Sequence, residues 1–167
     1  MNDVIKITFL FISLILVQVI VLNNVLFWDY INPQLYILFV IIYPFRKDRG
    51  IFLFLSFLLG LFLDFFFNSG GTNAAATLFI AYIRLPLLKS LMRKSEIDFP
   101  VFNINKLQFL KLLSFISILT FAHHFVLFSL EYFKLNAILT IFSRTILTSI
   151  FTIILLIFSL LFMNKSK

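Results

Sequence analysis

Long apolar runs separated by short polar segments dominate the chain. They predict six helices, over residues 4–22, 33–45, 50–67, 72–85, 109–130 and 136–162. Most of these runs have the length of about 20 residues that a helix needs to cross a bilayer. The runs lack the alternation of barrel strands, and backbone groups inside a membrane must be satisfied within helices or a closed barrel. The pattern therefore predicts an all-α integral membrane protein with a single transmembrane domain, a bundle of about six helices.

Prolines mark two departures from this regular pattern. Pro33 stands where it can open the second helix, because the first helical residue needs no N–H. That helix is short for a hydrocarbon core of ~30 Å, so either the bilayer thins there or the span starts near Phe27. Pro86 predicts the end or a kink of the fourth helix. The alternating apolar and basic residues of 87–94 then predict a helix lying on the membrane surface.

Composition excludes a soluble globular domain. The chain is 62% hydrophobic and 13% charged, whereas soluble domains are about 25% charged. It has no cysteine, which excludes disulfides, thiol catalysis and thiolate metal sites. The net charge of +7 comes from basic residues in alternate loops, a pattern that sets topology against anionic lipid rather than binding nucleic acid. This asymmetry predicts that both termini are cytoplasmic. We define the basic inner surface as Arg46, Lys47, Arg49, Lys89, Arg93 and Lys94.

A few polar side chains interrupt the predicted helices close to their outer ends. We predict that they form one structural polar cluster, composed of Gln18, Asp64, His124, Glu131 and Arg144. An unpaired carboxylate in hydrocarbon is costly, so our hypothesis is that Arg144 neutralises Asp64 or Glu131, with hydrogen bonds from His124 and Gln18. Such a pair fits two readings, a lock between helices or part of an ion or proton path.

No catalytic or metal-binding pattern is found, so we predict neither an enzyme nor a cofactor. Adjacent His123 and His124 point about 100° apart on a helix, and no acid or cysteine cluster completes a metal site with them. The turn at Gly70 and Gly71 lacks the Lys-Ser/Thr of a phosphate-binding loop. The Gly-x-Ser-x-Gly sequence of a hydrolase nucleophile is absent as well.

One set of residues resembles a known family. Gln18 comes late in the first helix, and the remaining residues of the set are Pro33, Gly60, Leu61, Asp64, Gly70, Gly71 and Asn73. Together they resemble the pattern of MreD, the rod shape-determining membrane proteins of bacteria. The discriminating residues lie between Gln18 and Arg84, and the chain from Glu96 onwards matches only in hydropathy.

The resemblance implies a non-catalytic scaffold of the cell-elongation machinery in the bacterial inner membrane. Such proteins bind MreC, a bitopic partner, and link the cytoskeletal protein MreB to peptidoglycan synthesis by RodA and its transpeptidase partner. Their fold is thought to be similar to the substrate-binding subunits of energy-coupling-factor transporters. Partners would dock on helix faces or on the basic inner surface, although simple lipid anchoring explains that surface equally well. A homo-oligomer is compatible with the pattern.

The alternative is that the chain itself is a substrate-binding subunit of a vitamin transporter. Such subunits have a similar size and usually dock their coupling subunit through alanines spaced four apart in the first helix. The first predicted helix here contains no alanine, which argues against this alternative. A proton-coupled transporter would need internal repeats that the sequence does not show.

Overall fold

The computed structural model describes residues 3–24, 31–45, 48–92, 108–133 and 137–165, and it is helical over most of them. The α-helices are α1 (Asp3–Leu16), α2 (Ile37–Ile42), α3 (Arg49–Phe67), α4 (Thr72–Leu91), α5 (Phe109–Tyr132) and α6 (Ile138–Lys165). A π-helical turn (Val17–Val21) and a 3-10 turn (Leu22–Asn24) continue α1. Within the described ranges, five helical stretches are long and apolar enough to cross a membrane. The prediction of an all-α membrane protein is confirmed.

The short helix α2 lies at the centre of the bundle. Consecutive long helices pack on each other, α3 on α4, α4 on α5 and α5 on α6, while α1 contacts α2 and α3. All residues from Ile37 to Ile41 are at most 3% exposed. The outward faces of the long helices are also apolar, with Phe65 and Leu139 more than 80% exposed. Apolar side chains on both faces are what a bundle surrounded by lipid requires.

The predicted helix over residues 33–45 is wrong in its first part, because α2 begins only at Ile37. Pro33 therefore does not open a helix. Non-helical backbone at membrane depth is tolerated only where other protein groups satisfy it, and here the Gln18 side chain does so. Its Nε2 donates to the Pro33 carbonyl at 3.1 Å, and its Oε1 accepts from the Leu35 N–H at 2.8 Å. The π-helical turn of the first span carries this glutamine, which is fully buried.

The predicted end of the fourth helix at residue 85 is also wrong, because α4 continues through Pro86 to Leu91. A proline inside a helix leaves the carbonyl four residues earlier without its usual donor. That carbonyl belongs to Tyr82, and the Arg49 Nη2 donates to it at 3.4 Å. Arg49 also lies over the Tyr82 ring, 5.2 Å from its centroid. The arginine of the preceding helix thus compensates for the bond that proline removes.

The last turn of α4 takes up part of the predicted surface helix over residues 87–94. Met92 ends α4 in an extended conformation, whereas Arg93 and Lys94 lie outside the described residues. Arg46 and Lys47 of the basic inner surface lie outside them too. Its two described members, Arg49 and Lys89, are exposed.

Candidate functional site

The Asp64 carboxylate joins the end of α3 to the start of α4. The first N–H groups of a helix have no acceptor within it, and Asp64 supplies acceptors for two of them in α4. Its Oδ1 accepts from the Asn73 N–H at 2.9 Å, and its Oδ2 accepts from the Ala74 N–H at 2.8 Å. Oδ1 also accepts from the side chains of Ser69 and Asn73. The acid is 5% exposed, and these donors stabilise its negative charge at the positive end of a helix.

Gly60 allows the two helices to approach closely enough for this arrangement. A Cβ placed on Gly60 would lie 2.6 Å from the Ala74 Cα and 2.6 Å from the Asn73 carbonyl oxygen. Both are backbone atoms and cannot rotate away. The small residue one turn before Asp64 therefore sets the distance that lets the carboxylate reach α4.

The turn between α3 and α4 depends on three residues with left-handed backbone conformations. Asn68 ends α3 at φ 53°, and Gly70 and Gly71 follow with φ of 66° and 93°. Glycine adopts such angles without steric cost, and asparagine is the commonest alternative at a helix end. The backbone carbonyl of Asp64 accepts from the N–H groups of Asn68 and Ser69. Asp64 thus closes one helix with its backbone and opens the next with its side chain.

A buried hydrogen-bond network extends from this turn into the bundle through Asn73 and Tyr36. The Tyr36 hydroxyl lies 2.7 Å from Asn73 Oδ1, 2.6 Å from Gln34 Oε1 and 3.1 Å from His123 Nε2. The Gln34 N–H donates to Thr152 Oγ1 at 3.2 Å, and that oxygen lies 3.1 Å from His124 Nε2. The network therefore ties the non-helical residues before α2 to α4, α5 and α6.

Arg84 forms a second polar centre at the opposite end of the bundle. It is 2% exposed, and its Nη2 donates to the carbonyls of Ile41 and Tyr43, at the C-terminal end of α2. The guanidinium carbon lies 3.6 Å from the Phe45 ring centroid and 4.9 Å from that of Phe52. A cation at a helix C-terminus satisfies carbonyls that have no intrahelical partner.

We predict that Arg84→Met lowers the free energy of unfolding by about 3 kcal/mol, because two buried carbonyls lose their donor. The measurement is reversible unfolding in mixed micelles, followed by circular dichroism. Arg49→Met is the matched control, since Arg49 also contacts a carbonyl and a ring but is exposed, and it should cost about 0.5 kcal/mol. Equal losses for the two variants would contradict the role of Arg84.

Of the five residues predicted as one polar cluster, Asp64 and His124 belong to the buried network described above, whereas Glu131 and Arg144 lie together elsewhere. Gln18 supports the backbone before α2, Asp64 caps α4, and His124 contacts Thr152. Glu131 is exposed and lies within electrostatic range of Arg144, whose guanidinium carbon is 5.4 Å from the Tyr132 ring centroid. In the structure, the Asp64 carboxylate accepts from groups in the α3–α4 connection and in the first helical turn of α4, in place of the predicted partner Arg144. Of the two acids proposed for Arg144, the structure favours Glu131.

Sequence reasoning missed Tyr36, Gln34 and Thr152 as members of the network. The sequence signal for Gln34 and Tyr36 was that both polar side chains follow closely after Pro33 within a short apolar run. Leu61, a member of the family-like set, is 43% exposed and contributes no polar contact. Comparison of the chain with models of protein families, with characterised proteins and with solved structures finds no match.

Proposed function

We propose that this chain is a non-catalytic scaffold of the bacterial cell-elongation machinery. In this proposal it lies in the inner membrane, binds an MreC-like bitopic protein, and links MreB to peptidoglycan synthesis by RodA and its transpeptidase partner. The observation that carries the proposal is the use of the MreD-like residues. Gly60, Asp64, Gly70, Gly71 and Asn73 all serve the geometry of the α3–α4 hairpin.

The hydrogen bonds of Asp64 support a structural role for this acid over a transport role. An ion or proton carrier needs a carboxylate that can exchange its partner during each cycle. Both oxygens of Asp64 instead accept from groups of the hairpin, two of them backbone N–H groups at the start of α4. Releasing these two N–H groups would leave the start of α4 without its acceptors inside the membrane. Asp64 is therefore better suited to hold α3 and α4 together than to carry an ion or a proton.

We also propose that residues 31–45 form a sixth crossing of the membrane. Tyr36 contacts Asn73 at the hairpin end of the bundle, and Tyr43 contacts Arg84 at the opposite end. The helix α2 connects these two levels, and the non-helical residues before and after it advance up to ~3.3 Å per residue, against 1.5 Å in a helix, which lengthens the short segment at both ends. Six crossings agree with the predicted cytoplasmic location of both termini.

The test is depletion of the protein in its rod-shaped host, together with purification of its complexes in mild detergent. We expect rounded cells, restored to rods by the wild-type chain, and co-purification of a bitopic membrane protein with an extracytoplasmic domain. A tagged membrane protein of similar size, expressed at the same level, controls for non-specific capture. Normal cell shape with loss of vitamin uptake, or recovery of an ATPase module instead, would favour the transport-subunit alternative.

A further inference from the structure

The helices α5 and α6 carry buried polar atoms that lack a hydrogen-bond partner within the part of the chain that the structure describes. These atoms are Oγ1 of Thr120, Nδ1 of His123, Nδ1 of His124, Oγ1 of Thr145, Oγ1 of Thr148 and Oγ of Ser149. All six residues are at most 3% exposed. Lipid offers these groups no hydrogen bonds, so leaving them unpaired is costly.

The helices α5 and α6 that carry these residues pack against each other as an antiparallel pair. The contact between His124 Nε2 and Thr152 Oγ1 fixes the register of the pair. Equal rises then place Thr148 and Ser149 opposite residues 127–128 of α5, and Thr145 opposite Glu131. The rings of His123 and His124 are nearly perpendicular, with centroids 5.3 Å apart. The unpartnered atoms of His123, His124, Thr148 and Ser149 therefore lie within about one turn of this contact, with Thr120 and Thr145 on either side of them.

The hydrogen bonds of Tyr36 determine which nitrogen of His123 carries its proton. Asn73 Nδ2 donates to Asp64 and Ser69, so Asn73 Oδ1 is an acceptor. The single Tyr36 proton goes to that oxygen or to Gln34 Oε1, and only lone pairs remain for His123. His123 Nε2 must then be the protonated nitrogen. Its Nδ1 is left as a bare acceptor.

His124 has no such constraint. Thr152 Oγ1 accepts the Gln34 N–H and keeps one lone pair and its hydroxyl proton, so it can accept from His124 Nε2 or donate to it. A ligand of this region must donate to His123 Nδ1, and the threonine and serine hydroxyls require it to accept hydrogen bonds as well.

We propose that the α5–α6 interface is a site for internal water molecules bound by His123, His124 and the neighbouring hydroxyls. Water is small, uncharged and able to donate and accept, and buried water usually makes two to four bonds to such groups. Asp64 is occupied by the hairpin and Glu131 is exposed, so neither provides the charge that a cation would need. Ile116 and Leu156, both fully buried, close the region on its deeper side.

Replacing a hydroxyl by a methyl group of the same shape tests the proposal through the sign of its effect. Thr148→Val should lower the midpoint temperature of thermal unfolding in nanodiscs by about 3 °C, because bound water loses a partner. A hydroxyl unpaired in a dry interface would give the opposite result, since its removal relieves a cost. The exposed Thr140 supplies the matched control, and Thr140→Val should leave the midpoint unchanged. A midpoint raised or unchanged by Thr148→Val overturns the proposal.

Solid-state NMR of the protein in lipid provides a second measurement that does not require a variant. We expect the ¹⁵N shifts to show His123 protonated at Nε2 and unprotonated at Nδ1. Magnetisation transfer from water should reach both rings. The lipid-facing Phe142 ring, on the same helix as the hydroxyls, is the reference for protons without bound water. Histidine signals without transfer from water, under conditions where surface amides show it, overturn the proposal.

Discussion

Asp64→Asn is expected to lower the free energy of unfolding by about 3 kcal/mol. Asparagine keeps one acceptor oxygen. Its NH₂ group replaces the other carboxylate oxygen, so the N–H or O–H groups that donate to that oxygen in the wild-type protein lose their acceptor. It also removes the negative charge that strengthens these bonds at the start of α4. The measurement is unfolding in mixed micelles, with the wild-type chain compared under identical conditions.

Asp48→Asn is the matched control for this variant. Asp48 also caps a helix, since its Oδ1 accepts from the N–H groups of Gly50 and Ile51 at the start of α3, but it is exposed. Asparagine and aspartate are nearly equivalent as exposed N-caps, so the control should change stability by about 0.5 kcal/mol or less. Similar losses for the two variants would show that Asp64 is an ordinary surface cap.

Gly60→Ala is expected to cost about 3 kcal/mol, because the new methyl group meets backbone atoms of α4. Relief requires α3 and α4 to separate, and the separation draws the Asp64 carboxylate away from Asn73 and Ala74. The effect should therefore appear both in the free energy of unfolding and in faster amide exchange at the start of α4.

Gly50→Ala separates this steric effect from the change in helix propensity. A Cβ at Gly50 meets only Asp48 Oδ1, at 3.1 Å, an exposed side-chain atom that can shift by a few tenths of an ångström and still accept from the N–H groups of Gly50 and Ile51. Alanine favours helix by about 1 kcal/mol over glycine, so Gly50→Ala should be neutral or stabilising. If Gly60→Ala were equally harmless, the close approach of α3 and α4 would not limit stability.

The helices that the sequence predicted well are those whose stability depends on their own apolar length. The predicted 50–67 corresponds to α3, and the predicted 109–130 to α5, with shifts of one or two residues at the ends. The segment over residues 33–45 differed because its backbone is satisfied by Gln18, whose bonds reach 15 and 17 residues along the chain. Local pattern contains no signal for a partner so distant.

The place of Asp64 was predictable, whereas its partners were not. Gly60 and Asp64 share one helix face, and this spacing indicated that the acid points into the bundle. Residue types alone indicated Arg144 as its partner, because the unpaired backbone N–H groups at a helix start have no signature in the sequence. The predicted end of the fourth helix before Pro86 was wrong for a related reason. Arg49 donates to the Tyr82 carbonyl that the proline leaves without its usual donor.

Amide hydrogen exchange at Asn73 and Ala74 tests most directly whether the Asp64 side chain builds the hairpin. These two N–H groups stand in the first turn of α4, where a helix itself provides no acceptor. We predict slow exchange at both in the wild-type protein and fast exchange in Asp64→Asn, with Gly50 and Ile51 unchanged. Equal exchange rates at Asn73 and Ala74 in the two proteins would contradict the account.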